Sequence, residues 1–299
     1  MPVTPPVVLT IAGFDPSSGA GITADIKTIA AHECYGVSCI TALTVQSTQG
    51  VRRVEGVYPV DPKIVAATLD ELLADVTIEA VHIGMLGNEH VVAVVADFLD
   101  RARLPHIVLD PILKSSSGAD LLDASGTRLL IERLLPLAEL VTPNQVEAGV
   151  MTGIAVTDLD QMREAAARLH ALGAANVVIT GGDAPAGPAA GSHPEKAIDL
   201  LSFTAARGMQ TEVFKADRQR SNSTHGTGCA FSTALACHLA HGRGLPEAVL
   251  LAKVYVSAAI TNAHPLGKGV GPLQHLYRMS QQRRPSTVVS ETEHAHSRN

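Results

Sequence analysis

Short apolar runs alternate along the chain with longer segments in which apolar residues recur every three or four positions. The runs at 7–12, 37–45, 80–84, 107–110, 140–142 and 177–180 are rich in Val and Ile and nearly unbroken in apolar character. Strands buried on both faces have that pattern. The segments 21–32, 61–73, 89–101, 126–134 and 159–172 carry helical spacing, and in the last of them Leu159, Met162, Ala166 and Leu169 share one face. This alternation predicts an α/β fold with a central, mostly parallel sheet and helices on both sides. Near 196–215 the rhythm changes. Segments 197–203 and 209–215, joined at Arg207-Gly208, predict a small antiparallel β element. Two more helices are expected at 226–241 and 245–262. Residues 183–194 (DAPAGPAAGSHP) read as a loop. Residues 1–280 are expected to form a single domain, and 281–299 a disordered polar tail, whose His294 and His296 are solvated rather than ligands.

Composition narrows the function. The 299 residues are 46% hydrophobic, enough for a sizeable core. A formal net charge of −6 with no basic block argues against a nucleic-acid binder. Trp is absent and aromatics make up 3%, so a base-stacking platform is not expected. No apolar run reaches membrane-span length, and the start lacks the pattern of a secretory signal. A cytoplasmic protein that does not engage membranes is expected. Cys34, Cys39, Cys229 and Cys237 show neither CxxC pairing nor zinc spacing, and read as free thiols.

Candidate chemistry gathers at the ends of the strands. In THGTGCAFSTALA, Gly226 and Gly228 permit a tight turn into a helix. A helix start offers free N–H groups and partial positive charge, which suit phosphate and acidify a thiol. Cys229 is therefore either a small buried hydrophobe or a reactive group of lowered pKa. Residues 13–21 (GFDPSSGAG) are either a flexible connection or a substrate loop, because open α/β sheets bind ligands at the carboxyl ends of their strands. Gly19, Gly21 and Ala24 fit GxGxxA, but the connection is long and the next strand ends in Gln46 rather than an acid, so a dinucleotide site is rejected. Asp110 closes one strand. Asn144 and Glu147 follow another, either as a helix cap or, for Glu147 together with Asp110, as carboxylates for Mg²⁺. Thr180 and Gly182 end a further strand where a nucleotide can lie against the backbone.

Seven segments occur in an order that resembles one family: TIAGFDPSSGAGITADIKT, ITALTVQSTQGV, IGMLGN, LDPILKSSSGADLL, TPNQVEAGVMTG, THGTGCAFSTALA and GKGVGPLQHLY. The chain resembles the hydroxymethylpyrimidine kinase/phosphomethylpyrimidine kinases of thiamine biosynthesis, a branch of the ribokinase superfamily, over residues 7–278. The resemblance implies a ribokinase-like three-layer fold and two ATP-dependent phosphorylations, of 4-amino-5-hydroxymethyl-2-methylpyrimidine and then of its monophosphate. It implies an anion hole at Gly226, Thr227, Gly228 and Cys229, with Cys229 as catalytic base. It further implies pyrimidine contacts at Gly13, Asp25, Gln46 and Met85, nucleotide contacts at Thr180, Gly182 and Thr227, and Asp110 and Glu147 toward metal and phosphate. ATP, Mg²⁺ and a homodimer follow from the same resemblance. Phe14, Thr180-Gly-Gly-Asp183 and the early Lys114 depart from the family pattern, leaving the phosphate-contacting lysine unassigned. The rivals are a pyridoxal kinase on the same fold and a non-catalytic pyrimidine-binding regulator.

Overall fold

The computed structural model describes residues 4–52, 55–115, 118, 120–181, 196–206, 208–219 and 221–281. In chain order the elements are β1 Val7–Phe14, α1 Gly21–Ala31, β2 Tyr35–Thr44, β3 Gln46–Ser47, β4 Gly50–Val51, β5 Val57–Pro59, α2 Pro62–Asp75, β6 Ala80–Ile83, α3 Glu89–Ala102, β7 Ile107–Leu109, α4 Ala124–Leu129, β8 Leu140–Val141, α5 Gln145–Thr152, α6 Leu159–Ala171, β9 Val177–Ile179, β10 Lys196–Ala205, β11 Gly208–Asp217, α7 Thr227–Ala240, α8 Leu245–Thr261 and α9 Tyr277–Gln281.

Nine strands form one sheet in the order β11-β10-β9-β8-β7-β6-β1-β2-β5. The six strands from β9 to β2 run parallel, and the Val- and Ile-rich runs of β1, β6, β7, β8 and β9 are buried on both faces as their nearly unbroken apolar pattern requires, whereas β2, next to the edge, is only partly buried. One core layer packs the sheet against α2, α3 and α6. The opposite layer packs it against α7 and α8, built largely of small residues such as Ala230, Ala234 and Ala252, which let helix and sheet approach closely. The result is the expected α/β/α sandwich. The expected antiparallel pair is present as β10–β11, and it extends the main sheet through β9. A separate two-stranded sheet does exist, formed by β3 and β4, too short to leave a period-two pattern.

Helix boundaries follow local chemistry. The helix expected over 126–134 starts earlier, because Asp123 caps it by accepting from the Gly126 N–H at 2.7 Å. It then widens into a π turn, Leu130–Leu134, and tightens into a 3-10 turn, Leu135–Leu137, where Pro136 cannot continue an α-helix. Past Gln281 the expected tail lies outside the described residues, as do Arg207 and residues 183–194. No helix among the described residues is long and apolar enough to cross a membrane.

The chain enters the sheet at β1, the third strand in from the β5 edge. From β1 it steps to β2 on one side, and later resumes at β6 on the other. Connections leaving the carboxyl ends of β1 and β6 therefore diverge, and a cleft opens at this switch point.

Candidate active site

A cavity of about 680 Å³ occupies that cleft. Its walls come from segments far apart in sequence: the loop after β1, the β3–β4 flap, the ends of β7 and β8, and the start of α7. Gly226 precedes α7 with φ +83°, and a Cβ there would lie 1.9 Å from the Gly19 carbonyl oxygen. Both facts demand glycine. Helices α2 to α6 each have a side-chain N-cap, from Asp61, Asn88, Asp123, Asn144 and Asp158. Helices α1 and α7 begin at the cavity and have none. These two helix starts thus reach the cavity wall without a side-chain cap, the setting in which a helix start can receive an anion.

Cys229 is the third residue of α7, lines the cavity and is 7% exposed. The expected lowering of its pKa is corrected by its surroundings. Burial pushes the thiol well above its ordinary value, and the nearby carboxylates Asp110, Asp25 and Glu147 add to the rise. The backbone N–H of Gly21 opposes them and is outweighed. The helix start alone is a weaker influence than desolvation plus three like charges.

The structure brings Gly13, Gln46 and Met85 to one part of the wall. A Cβ on Gly13 would come within 2.9 Å of the Met85 sulfur, so glycine here is what lets the methionine reach the cavity. Asp25 is different. It is 0% exposed, does not line the cavity, and accepts from Thr10 Oγ1 at 2.7 Å and Thr233 Oγ1 at 3.0 Å, with His82 Nδ1 3.4 Å away. The expectation that Asp25 contacts the ring is therefore corrected: its polar atoms are engaged in the interior behind the cavity wall.

Asp110, Glu147, Thr180 and Thr227 all line the cavity, whereas Gly182 lies outside the described residues. Asp110 sits beneath Gly228, whose added Cβ would be 3.8 Å from its Oδ2. Glu147 completes a capping box: its Oε2 accepts from the Asn144 N–H at 2.9 Å, and its own N–H donates to Asn144 Oδ1 at 2.9 Å. Capping and exposure to the cavity thus coexist in one residue. Lys114 also lines the cavity and pairs with Asp120 at 3.1 Å.

Asp15 and His225 were missed as site residues by sequence reasoning. Asp15 Oδ1 accepts from the N–H and hydroxyl of Ser17, and its Oδ2 from the N–H groups of Gly19 and Ala20. His225 Nε2 lies 2.8 Å from the same Oδ2. Burial alone raises the Asp15 carboxyl, but the hydrogen bonds from His225 and Ser17 outweigh it and hold the group below its ordinary value. The signal was available: Asp-Pro-Ser-Ser can form an Asx turn, and His225 directly precedes the glycine turn.

Comparisons with known proteins agree with this geometry. The phosphomethylpyrimidine kinase family model matches residues 15–274. The chain is 44% identical over 269 residues to a thiamine biosynthesis bifunctional protein of Geobacter sulfurreducens, with 90% of this chain covering 52% of that protein. It therefore spans about half the length of that relative. It is 40% identical to a hydroxymethylpyrimidine/phosphomethylpyrimidine kinase of Streptomyces coelicolor, covering 92% of this chain and 96% of the other. A Bacillus subtilis pyridoxal kinase in complex with ADP superposes with a TM-score of 0.80 at 33% identity, over 92% of this chain and 100% of the other. With its sheet, its glycine turn and its sequence all in agreement, the chain belongs to the phosphomethylpyrimidine kinase family.

Proposed function

We propose that the protein transfers the γ-phosphoryl group of ATP to 4-amino-5-hydroxymethyl-2-methylpyrimidine, and then to the resulting monophosphate, as a step of thiamine diphosphate biosynthesis. One observation carries the reading: the uncapped glycine start of α7, with Cys229 in its first turn, opens into the same cavity as Gln46 and Met85. A phosphoryl acceptor held at Gln46 and Met85 lies beside the N–H groups that can stabilise the transferring charge.

Each residue then has a task. Gln46 reads the polar edge of the ring and Met85 covers an apolar face. The N–H groups of Gly226, Gly228 and Cys229 meet the phosphoryl oxygens, while that of Thr227 donates to the Thr224 carbonyl at 3.3 Å. Thr180, on the cavity wall, faces the nucleotide, and the family resemblance assigns Gly182 to the same ligand. Cys229 takes the proton of the hydroxymethyl group, from the small thiolate fraction that its raised pKa leaves near neutral pH.

The cavity also suits Mg²⁺. No cluster of three or more His, Cys, Asp or Glu able to hold a metal occurs among the described residues. Mg²⁺ needs none when phosphates and water complete its shell, and Asp110 and Glu147 supply hard oxygen donors on the same wall. Bound there, it would supply positive charge against the moving phosphoryl group. A single domain over 1–280, a homodimer and a cytoplasmic setting belong to the same proposal.

The pyridoxal kinase reading has one observation in its favour, the TM-score of 0.80 to such an enzyme. The greater identity, 40–44%, is to the thiamine-pathway relatives. ADP release measured with the hydroxymethylpyrimidine, its monophosphate and pyridoxal in turn separates the readings. Turnover of both pyrimidines above pyridoxal supports the proposal. Turnover of pyridoxal alone assigns the rival, and no turnover favours the regulator.

A further inference from the structure

Four polar groups meet where the flap touches the glycine turn. Thr44 Oγ1 donates to the Phe14 carbonyl at 3.0 Å and lies 3.1 Å from one end of the Gln46 amide. The other end of that amide lies 3.0 Å from His225 Nε2, which is also 2.8 Å from Asp15 Oδ2. Asp15 is a carboxylate that already accepts four hydrogen bonds from Ser17, Gly19 and Ala20. It can only accept from His225, so Nε2 carries the proton. A protonated Nε2 cannot accept from an amide N–H. Its one hydrogen points chiefly to Asp15 at 2.8 Å, and the end of the amide that can sit 3.0 Å away is the oxygen, which shares that hydrogen in a three-centre bond. The amide nitrogen then donates to Thr44, whose own hydrogen is used on Phe14.

From this network we propose that Asp15 and His225 are positioning residues that fix the orientation of the Gln46 amide and thereby the ring selectivity of the kinase. The inference rests on the proposed pyrimidine reading of the cavity. With its oxygen held by His225, the amide keeps one N–H and one oxygen lone pair for the ligand. That donor–acceptor pair matches an aminopyrimidine edge, where a ring nitrogen accepts and the neighbouring amino group donates. A hydroxypyridine aldehyde such as pyridoxal lacks that pair. An amide free to rotate can serve either ring, so loss of the latch narrows the preference. The backbone at His225 also ties the turn to the rest of the site, since its main-chain N–H donates to the Gly271 carbonyl at 3.1 Å.

The test combines kinetics and spectroscopy. His225→Phe keeps a ring but no N–H, while His225→Gln places an amide N–H near the position of Nε2. The ratio of kcat/KM for hydroxymethylpyrimidine over pyridoxal should fall about tenfold or more in His225→Phe and largely recover in His225→Gln. KM for ATP should change little. A folded His225→Phe protein with the wild-type ratio would overturn the proposal. In the unliganded wild-type protein, ¹⁵N–¹H correlation should show His225 with a proton on Nε2. A bare Nε2 overturns the latch whatever the substrate proves to be. If the wild type turns over no pyrimidine, the functional reading fails, and the spectrum still decides the latch.

Discussion

Replacing Cys229 separates a base from a wall. The first phosphorylation uses a hydroxymethyl group, a poor nucleophile until its proton leaves. The second uses a phosphate monoester, whose second pKa of about 6 leaves it ionised above neutrality. Loss of a general base lowers a rate by about 10²–10⁴-fold, so Cys229→Ala should damage the first step by that amount and the second far less. The structure adds a pH signature. Even at the ordinary thiol pKa of 9.0, about 3% is ionised at pH 7.5. Burial, Asp110, Asp25 and Glu147 reduce that fraction further. The thiolate population then rises about tenfold per pH unit across the neutral range. For the wild type, log kcat/KM on the hydroxymethyl substrate should climb with a slope near one between pH 6.5 and 8.5. On the monophosphate it should be nearly level above pH 7, and Cys229→Ala should abolish the slope for the first substrate. Initial rates of ADP release on each purified substrate measure all of this. Equal losses in both steps, or a level wild-type profile in the first, would refute the base role and leave Cys229 as part of the anion hole.

Glu147→Gln retains a side-chain oxygen for the Asn144 N–H and should leave thermal stability nearly unchanged while raising the Mg²⁺ concentration for half-maximal rate; a drop in Tm with normal Mg²⁺ dependence would make Glu147 a cap only. Asn144→Ala should lower stability by about 1 kcal/mol in denaturant titrations through loss of the reciprocal cap. Gly226→Ala should lose both stability and activity, because its Cβ would collide with the Gly19 carbonyl oxygen at 1.9 Å and φ is +83°; normal kinetics in that variant would contradict the turn geometry. Burial holds His32, His238 and His275 at about 4, against 6.5 for an exposed histidine. The unfolded chain therefore binds more protons between those values, and stability should fall as pH drops from 6.5 toward 4, with no further loss from these groups below. Urea midpoints at pH 7.5, 6 and 4.5 measure it, and a midpoint unchanged over that range would show that these rings are not held neutral.

What the sequence reveals depends on the length over which a physical constraint acts. β1 and β6 are buried on both faces, so an apolar run interrupted only by Thr10 in the one and His82 in the other marks each. The flap strands β3 and β4 have two residues each, too few for any periodicity, and β5 is a short antiparallel edge. Gly226 and Cys229 were legible because a glycine turn into a helix is local. The burial of Asp25 was not, because Thr10, Thr233 and His82, which surround it, come from three different elements. The Cys229 pKa failed for the same reason: the helix start is visible in sequence, whereas the three carboxylates arrive through the fold. Asp15 and His225 are 210 residues apart, and only the closeness of the β1 loop to the start of α7 brings them together.

The central claim is that one cavity performs two successive phosphorylations of the same pyrimidine. A ³¹P NMR time course with purified protein, Mg²⁺, excess ATP and 4-amino-5-hydroxymethyl-2-methylpyrimidine tests it in one tube. The account predicts that a monophosphate resonance rises first and then declines as the two resonances of a diphosphate ester appear, with two ADP formed per pyrimidine consumed. Monophosphate accumulating without further conversion, or no new phosphate ester at all while pyridoxal is phosphorylated in a parallel tube, would contradict it.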